Sequence, residues 1–210
     1  MERMYPVRNR VLFHGSVFFL LCSERKILMS KCIFLDRDGT INADTHYLHR
    51  IKDFSFLPGA VEGMSLLRQA GYILIIITNQ SGIARGIFTE EEYLSLNSWM
   101  LSELKKLGID IAATYYCPHH PEVAVEKYRA ACDCRKPGLG LFKRAMADFS
   151  IDASSSWAVG DRMRDVAVCG SFPVRGVVLY NGSSAREGNI WRIEGGLKEA
   201  AEKIVRNGFI

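Results

Sequence analysis

Lys31-Cys-Ile-Phe-Leu-Asp-Arg-Asp-Gly-Thr-Ile-Asn42 is the stretch on which the fold of this chain turns. Ile33-Phe34-Leu35 is an apolar run of the kind found in a parallel strand buried on both faces, and it stops at Asp36 and Asp38, with Gly39 as the breaker. In an open parallel sheet the ligand crevice lies beyond the carboxyl ends of the strands, so two carboxylates at this point face a site rather than the core. Alternate residues of an extended segment share a face, which lets Asp36 and Asp38 converge, one to attack and the other to move a proton. Together they also offer the oxygens preferred by a hard cation such as Mg²⁺. Taken alone, Asp-x-Asp-Gly is as well an ordinary solvated turn, so its weight depends on the rest of the chain.

Outward from this stretch, Pro58-Gly59 introduces an amphipathic run with Val61, Met64, Leu66 and Leu67 at helical spacing, closed by Gly71. Tyr72 to Ile77 is a second continuous apolar run, and it halts at Thr78-Asn79-Gln80-Ser81-Gly82. Polar groups again sit at a strand's carboxyl end, where a Thr hydroxyl and the amides of a Ser-Gly turn suit the oxygens of a phosphoryl group. Thr89-Glu90-Glu91-Glu92 is a capping box, and Tyr93, Leu96, Met100, Leu104 and Leu107 mark one stripe of a long helix. Further strands are predicted at Ala112 to Tyr116, Ser156 to Val159 and Val174 to Tyr180, and a closing helix at Glu194 to Arg206. Asp161 follows Gly160 at a strand end and Asp165 lies one helical turn onward on the same face, the expected place for a further metal ligand. This alternation predicts an α/β domain over 31–210: a Rossmann-like open parallel sheet with helices on both faces and no large cap.

Cys117-Pro-His119-His120-Pro and Cys132-Asp-Cys134 form two groups of soft ligands about a dozen residues apart, the donor types and the four-ligand count of a closed structural zinc site. Cys117, His119, Cys132 and Cys134 are the expected ligands, with His120 in reserve; Cys-x-Cys has the wrong spacing for a redox pair. Such a metal would brace the loop at 117–134 rather than activate water. Cys134 runs directly into Arg135-Lys136-Pro137, so the clamp would aim both cations: Lys136 at a transferring phosphate, Arg135 as a bidentate fork farther out. Pro137 is expected in the first turn of a helix running through Ala147.

With 210 residues, 48% hydrophobic and 24% charged, the chain supports one domain with a sizeable core and is unlike a disordered or cysteine-stapled chain. A net charge of +4 with no basic block gives no compositional support for nucleic-acid binding and suits a small anionic substrate. Residues 1–30 fit the remainder least: Val11 to Cys22 is apolar and follows Arg8 and Arg10, but it is shorter than the ~20 residues that span a bilayer. No small-x-small cleavage pattern follows, and Met29 stands just before the first strand, so 1–30 is expected to be an extension or the product of a misassigned start.

Asp36-Arg-Asp-Gly-Thr-Ile-Asn42, Thr78, Lys136 and Asp161, at four successive strand ends, give residues 31–180 a resemblance to the haloacid-dehalogenase (HAD) superfamily of phosphatases. The Cys-Pro-His-His-Pro and Cys-Asp-Cys-Arg-Lys-Pro runs are similar to its zinc-loop branch, that of the D-glycero-D-manno-heptose-1,7-bisphosphate 7-phosphatases and histidinol-phosphatases. The resemblance implies a Mg²⁺-dependent phosphomonoesterase with Asp36 as nucleophile, Asp38 as acid and base, and Thr78 and Lys136 on the phosphoryl group. It implies Mg²⁺ on Asp36, the Asp38 backbone and Asp161, with Asp165 secondary. Asp44, Thr45, His46, Tyr47, Thr78, Asn79, Gln80, Ser81, Arg135, Lys136 and Arg162 are placed around a small phosphorylated sugar, a heptose 1,7-bisphosphate cut at its 7-phosphate ahead of histidinol phosphate. A cytoplasmic monomer acting on neither nucleic acid nor membrane is expected. The contrasting class is a zinc-stabilised binding module, which would leave the acid pair idle. The chain departs from the branch at Thr45-His46, where a glycine is frequent, and at Arg162, where a Lys is.

Overall fold

A computed structural model describes residues 29–180, 182 and 184–209. In β1 (Cys32–Leu35), Ile33 and Leu35 enter one hydrophobic core while Cys32 and Phe34 enter a second on the opposite face of the sheet. β2 (Ile73–Asn79), after α1 (Ala60–Gln69), divides in the same way, with Leu74 and Ile76 on one side and Ile75 and Ile77 on the other. The continuous apolar runs therefore follow from helices covering both faces.

α2 (Ser81–Ala84) and α3 (Glu90–Lys106) lead into β3 (Ile111–Cys117); α4 (Gly140–Phe149) precedes β4 (Trp157–Gly160), and β5 (Arg175–Tyr180) follows a 3-10 stretch at Met163–Gly170. The chain closes with β6 (Ala185–Glu187), β7 (Ile190–Glu194) and α5 (Leu197–Val205). The seven strands lie in the order β3-β2-β1-β4-β5-β7-β6, all parallel except β6 against β7. Met64 and Leu67 of α1, Met100 and Leu104 of α3, and Leu197, Ala200 and Ile204 of α5 fill one core. Leu141, Phe142 and Ala145 of α4, with Val166 and Val168, fill the other. Burying an aliphatic side chain is worth about 1.5–3 kcal/mol over exposing it. A central strand held this way on both faces presents its carboxyl end as a rigid platform.

The structure departs from the sequence expectations at several edges. β2 continues through Thr78 and Asn79 because it stays paired with β3 as far as Asn79 and Cys117, and the turn after it is the short α2 rather than a loop. α4 starts at Gly140, not at Pro137: the backbone first closes on the Cys loop, with Gly140 N donating to Asp133 O at 2.9 Å. Leu107 leaves the predicted stripe, 54% exposed as the residue that caps α3. The capping box at Thr89 is present, Thr89 accepting from Glu92 N and Glu92 from Thr89 N. Glu194 belongs to β7, not to the last helix, and the β6/β7 hairpin was not predicted; three exposed residues in β6 carry no apolar alternation. The apolar run at 11–22 lies outside the described residues. Among those described, no helix is long and apolar enough to cross a membrane.

Candidate active site

Asp36 ends β1 with its amide still in the sheet, donating to Val159 O of β4 at 3.0 Å. The chain then doubles back, Arg37 O accepting from the amides of Thr40, Ile41 and Asn42. Gly39 adopts φ 81° in this turn, and a Cβ there would lie 2.6 Å from Asp161 Oδ2. Only glycine lets the turn press against β4 in that conformation. A Cβ on Gly160 would likewise meet Asp165 Cβ at 2.3 Å. The two glycines thus let Asp36, Asp161 and Asp165 gather, with one carboxylate oxygen of each within 4.8 Å of the others.

Lys136 is set into this acidic cluster. Its Nζ donates to Asp36 Oδ1 at 2.6 Å and to Ile77 O at 2.7 Å, and pairs with Asp165 Oδ1 at 2.7 Å. Three oxygens match the ammonium's three protons. Asn79 holds the lysine's backbone, accepting from Lys136 N at 3.0 Å and donating to Lys136 O at 3.1 Å. Burial alone would push the Lys136 pKa down, but the charges of Asp36 and Asp165 outweigh it and the pKa is raised. Burial pushes Asp36 up to about 6, with Lys136 opposing the shift and the Asp165 charge adding to it. Asp161 is raised too, by burial and then by the charge of Asp36. Three carboxylates against one ammonium leave the cluster short of positive charge, and its oxygen donors fit a hard divalent cation.

Asp38 stands apart. Its Oδ1 accepts from Arg37 Nε at 3.1 Å, Arg37 Nη2 at 2.9 Å and Asn42 Nδ2 at 2.9 Å. Its Oδ2 accepts from Arg37 Nη2 at 2.9 Å and Gln80 Nε2 at 3.0 Å. Both carboxylates edge one cleft of about 260 Å³, and Thr78 and Lys136 lie in its wall. Four guanidinium groups, from Arg85, Arg135, Arg162 and Arg164, also line it. Arg135 has its pKa lowered, first by burial and also by the neighbouring charges of Arg164 and Arg85. Arg162 spans the mouth, its Nε 3.4 Å from Asp161 Oδ2 and its Nη2 3.7 Å from Asp44 Oδ2. A cleft lined by both carboxylates and guanidiniums accommodates an anion beside a cation.

Below the Arg135-Lys136 pair, Cys117, His119, Cys132 and Cys134 bring their ligand atoms within 4.8 Å of one another. The sulfurs are spaced 3.6 Å (Cys117 to Cys132), 3.2 Å (Cys117 to Cys134) and 3.1 Å (Cys132 to Cys134), and His119 Nδ1 is 3.3 Å from Cys134 Sγ. Zn–S bonds of ~2.3 Å put the sulfurs of a tetrahedral site about 3.7 Å apart, so the four donors fit that ion closely. All three cysteines are free thiols. Hydrogen bonding with Cys117 first, and also with Cys132, holds the Cys134 thiol down to about 5 despite burial. His120 is no part of the group; its ring lies 3.0 Å from Arg85 Nη2.

The family model described as Polynucleotide kinase 3 phosphatase matches residues 31–168. The chain belongs to this family. A D-glycero-beta-D-manno-heptose-1,7-bisphosphate 7-phosphatase of Photorhabdus laumondii is 50% identical over 134 residues, which cover 64% of this chain and 71% of the relative. One of Pasteurella multocida is 44% identical over 151 residues, covering 72% of this chain and 82% of the relative. The solved D,D-heptose 1,7-bisphosphate phosphatase of B. bronchiseptica, complexed with magnesium and phosphate, is 27% identical with a TM-score of 0.72, over 84% of this chain and 99% of that one. The expected HAD-like fold and the phosphatase class are thus both found.

In this phosphatase, Asp36, Asp38, Asp44, His46, Tyr47, Thr78, Asn79, Gln80, Ser81, Arg135, Lys136 and Arg162 line a single cleft. Thr45 is not among the lining residues. At the departure noted in Thr45-His46, His46 takes φ 57° and Tyr47 φ 62°, left-handed positions that a glycine would adopt without strain. The Asp38 side chain is held by Arg37 and the two amides, while Asp165, named as a secondary ligand, joins Asp36 and Asp161 in the acidic cluster. Arg37, Asn42, Arg85 and Arg164 were not singled out from sequence. Arg37 and Asn42 lie inside the first signature, Arg85 follows the turn at 78–82 by three residues as a lone charge among apolar neighbours, and Arg164 lies between Arg162 and Asp165.

Proposed function

We propose that this phosphatase hydrolyses the 7-phosphate of D-glycero-D-manno-heptose 1,7-bisphosphate through an aspartyl-phosphate. The carrying observation is the arrangement of charge: Asp36, Asp161 and Asp165 gathered at Lys136, and four arginines lining the cleft that Asp36 and Lys136 share. One phosphoryl group is received at the cluster while an anionic far end meets arginines. The names of the relatives support the same substrate. Lys136 holds Asp36 Oδ1, so Oδ2 is the attacking atom. The Asp36–phosphorus bond forms as the ester P–O bond breaks, and Asp38 gives its proton to the departing sugar oxygen. Water then attacks the aspartyl-phosphate, Asp38 takes that water's proton, and inorganic phosphate leaves a free Asp36. Thr78 and Lys136 hold the phosphoryl oxygens, and Asp44, His46, Tyr47, Asn79, Ser81 and Arg162 surround the rest of the substrate.

Asp36, Asp161 and the Asp38 backbone are proposed to hold Mg²⁺ with Asp165 in support, as the magnesium-bound relative suggests; the ion would supply charge that offsets the phosphoryl oxygens. Cys117, His119, Cys132 and Cys134 are proposed to hold Zn²⁺ as a brace. One chain carries every group of the site, which supports action as a monomer, and a cleft of about 260 Å³ suits a free cytoplasmic metabolite better than a nucleic-acid strand. Residues 31–210 are proposed as the catalytic domain.

Phosphate release from the heptose bisphosphate, histidinol phosphate and a nicked-DNA 3′-phosphate tests the reading. The heptose bisphosphate should lead in kcat/KM, and either of the others leading would overturn it. Arg135 leaves the clamped loop beside Lys136, and adjacent side chains diverge, so its fork serves the far end. Arg135→Ala should cost roughly 1.5–3 kcal/mol, about 10- to 150-fold in kcat/KM, on the bisphosphate, and much less on a small phosphate ester. Equal losses would assign Arg135 to phosphoryl transfer.

Zinc has its own test. Cys132→Ser should lower zinc content, melting temperature and activity together, because Arg135 and Lys136 lose their support. An active preparation with far less than one zinc per chain would exclude the brace.

A further inference from the structure

Gln80, expected from sequence to meet the substrate, is spent elsewhere. Its side chain is almost fully buried, 4% exposed, and its Nε2 donates to Asp38 Oδ2 at 3.0 Å and to Thr78 Oγ1 at 2.9 Å. Its Oε1 accepts from Arg37 Nη2 at 3.5 Å, and its backbone amide is fixed on Cys117 O at 2.7 Å. The observed orientation is favoured, since reversing the amide would set its NH₂ against the Arg37 guanidinium and its oxygen against the Asp38 carboxylate. Both N–H donors therefore already have partners.

We propose that Gln80 is a positioning residue for the proton transfer made by Asp38, acting through the hydrogen bond to Oδ2 rather than through contact with substrate. Arg37 holds both carboxylate oxygens and Asn42 holds Oδ1, while the Gln80 amide is the side chain that ties Oδ2 back to the end of β2, next to the phosphoryl-binding Thr78. Without it the carboxyl group keeps its arginine fork but loses the contact that sets its rotation relative to the phosphoryl site. The step affected is the one in which the ester P–O bond breaks and the departing oxygen takes the Asp38 proton. This rests on the reading of Asp38 as acid and base.

Benzyl phosphate and p-nitrophenyl phosphate are similar in size but differ in leaving group: benzyl alkoxide needs a proton on departure, and p-nitrophenolate does not. kcat/KM covers the steps up to leaving-group release, so the benzyl-to-nitrophenyl ratio isolates the Asp38 proton. Asp38→Asn should lower that ratio about 100-fold or more. Gln80→Met should lower it about tenfold, and the double variant should match Asp38→Asn alone, because two changes acting through one group are not additive. Gln80→Asn, which keeps the amide but not its reach, should behave as Gln80→Met and serves if the Met variant does not fold. Equal losses on both esters, or a further fall in the ratio when the Gln80 change is added to Asp38→Asn, would overturn the proposal. No leaving-group dependence in Asp38→Asn itself would remove the acid-base assignment, a distinct failure.

Discussion

Asp36→Asn is expected to lower turnover roughly 10⁴-fold or more and to eliminate the phosphoryl-enzyme seen by mass spectrometry after an acid quench. The amide keeps the shape of the side chain but has neither the charge nor the free lone pair to attack phosphorus. The fold should not suffer. Burial holds the native Asp36 pKa at about 6, above its ordinary 3.8, so the folded protein binds this proton more tightly than the unfolded chain. The stability it contributes is present at low pH and is lost as pH rises through about 6, so near pH 7.5 the ionised group burdens the fold. The Asn variant should therefore melt no lower than the parent at pH 7.5. Near-normal turnover would end the aspartyl-phosphate mechanism.

Lys136→Met has the opposite stability signature. It leaves Asp36, Asp161 and Asp165 in mutual repulsion with their buried cation gone, and breaking such an ion pair from one side costs about 3–5 kcal/mol. Millimolar Mg²⁺ should recover part of the loss by binding the folded cluster. Protonation of the carboxylates should shrink the deficit between pH 7.5 and pH 5, since removing the lysine moves the already raised Asp36 pKa further up. Phosphatase activity should fall alike on every ester, because each presents the same phosphoryl group to Lys136. Melting curves at both pH values, with and without Mg²⁺, decide it; an unchanged melting temperature would show that the lysine does not balance the cluster.

The two variants rest on parts of the chain that were legible to different degrees. The position of Asp36 was legible from its own neighbours, since an apolar run that stops at a carboxylate reports both the strand and where it ends, while its role came from the resemblance. Thr78 and Asp161 were readable for the same reason. The Cys/His cluster was legible because the donor types of Cys117, His119, Cys132 and Cys134 are unusual together at any spacing. Lys136 was named from its place beside Cys134, but its contacts belong to the tertiary structure: it meets Asp36 from 100 residues away.

By itself, then, the sequence determined the parallel sheet buried on both faces, the strand ends that carry the site and some of its charged groups, Asp36, Asp38, Lys136 and Asp161 among them. These follow from period and residue type, which are local. Only the tertiary structure separated Asp38 from the acidic cluster, buried Gln80 between Asp38 and Thr78, and turned Arg85 and Arg164 toward the cleft. Those outcomes depend on which rotamer a fully packed interior leaves open, and on Gly39, whose missing Cβ admits the Asp161 side chain from a distant part of the chain. These contacts join residues tens of positions apart, so no spacing in the sequence carries them.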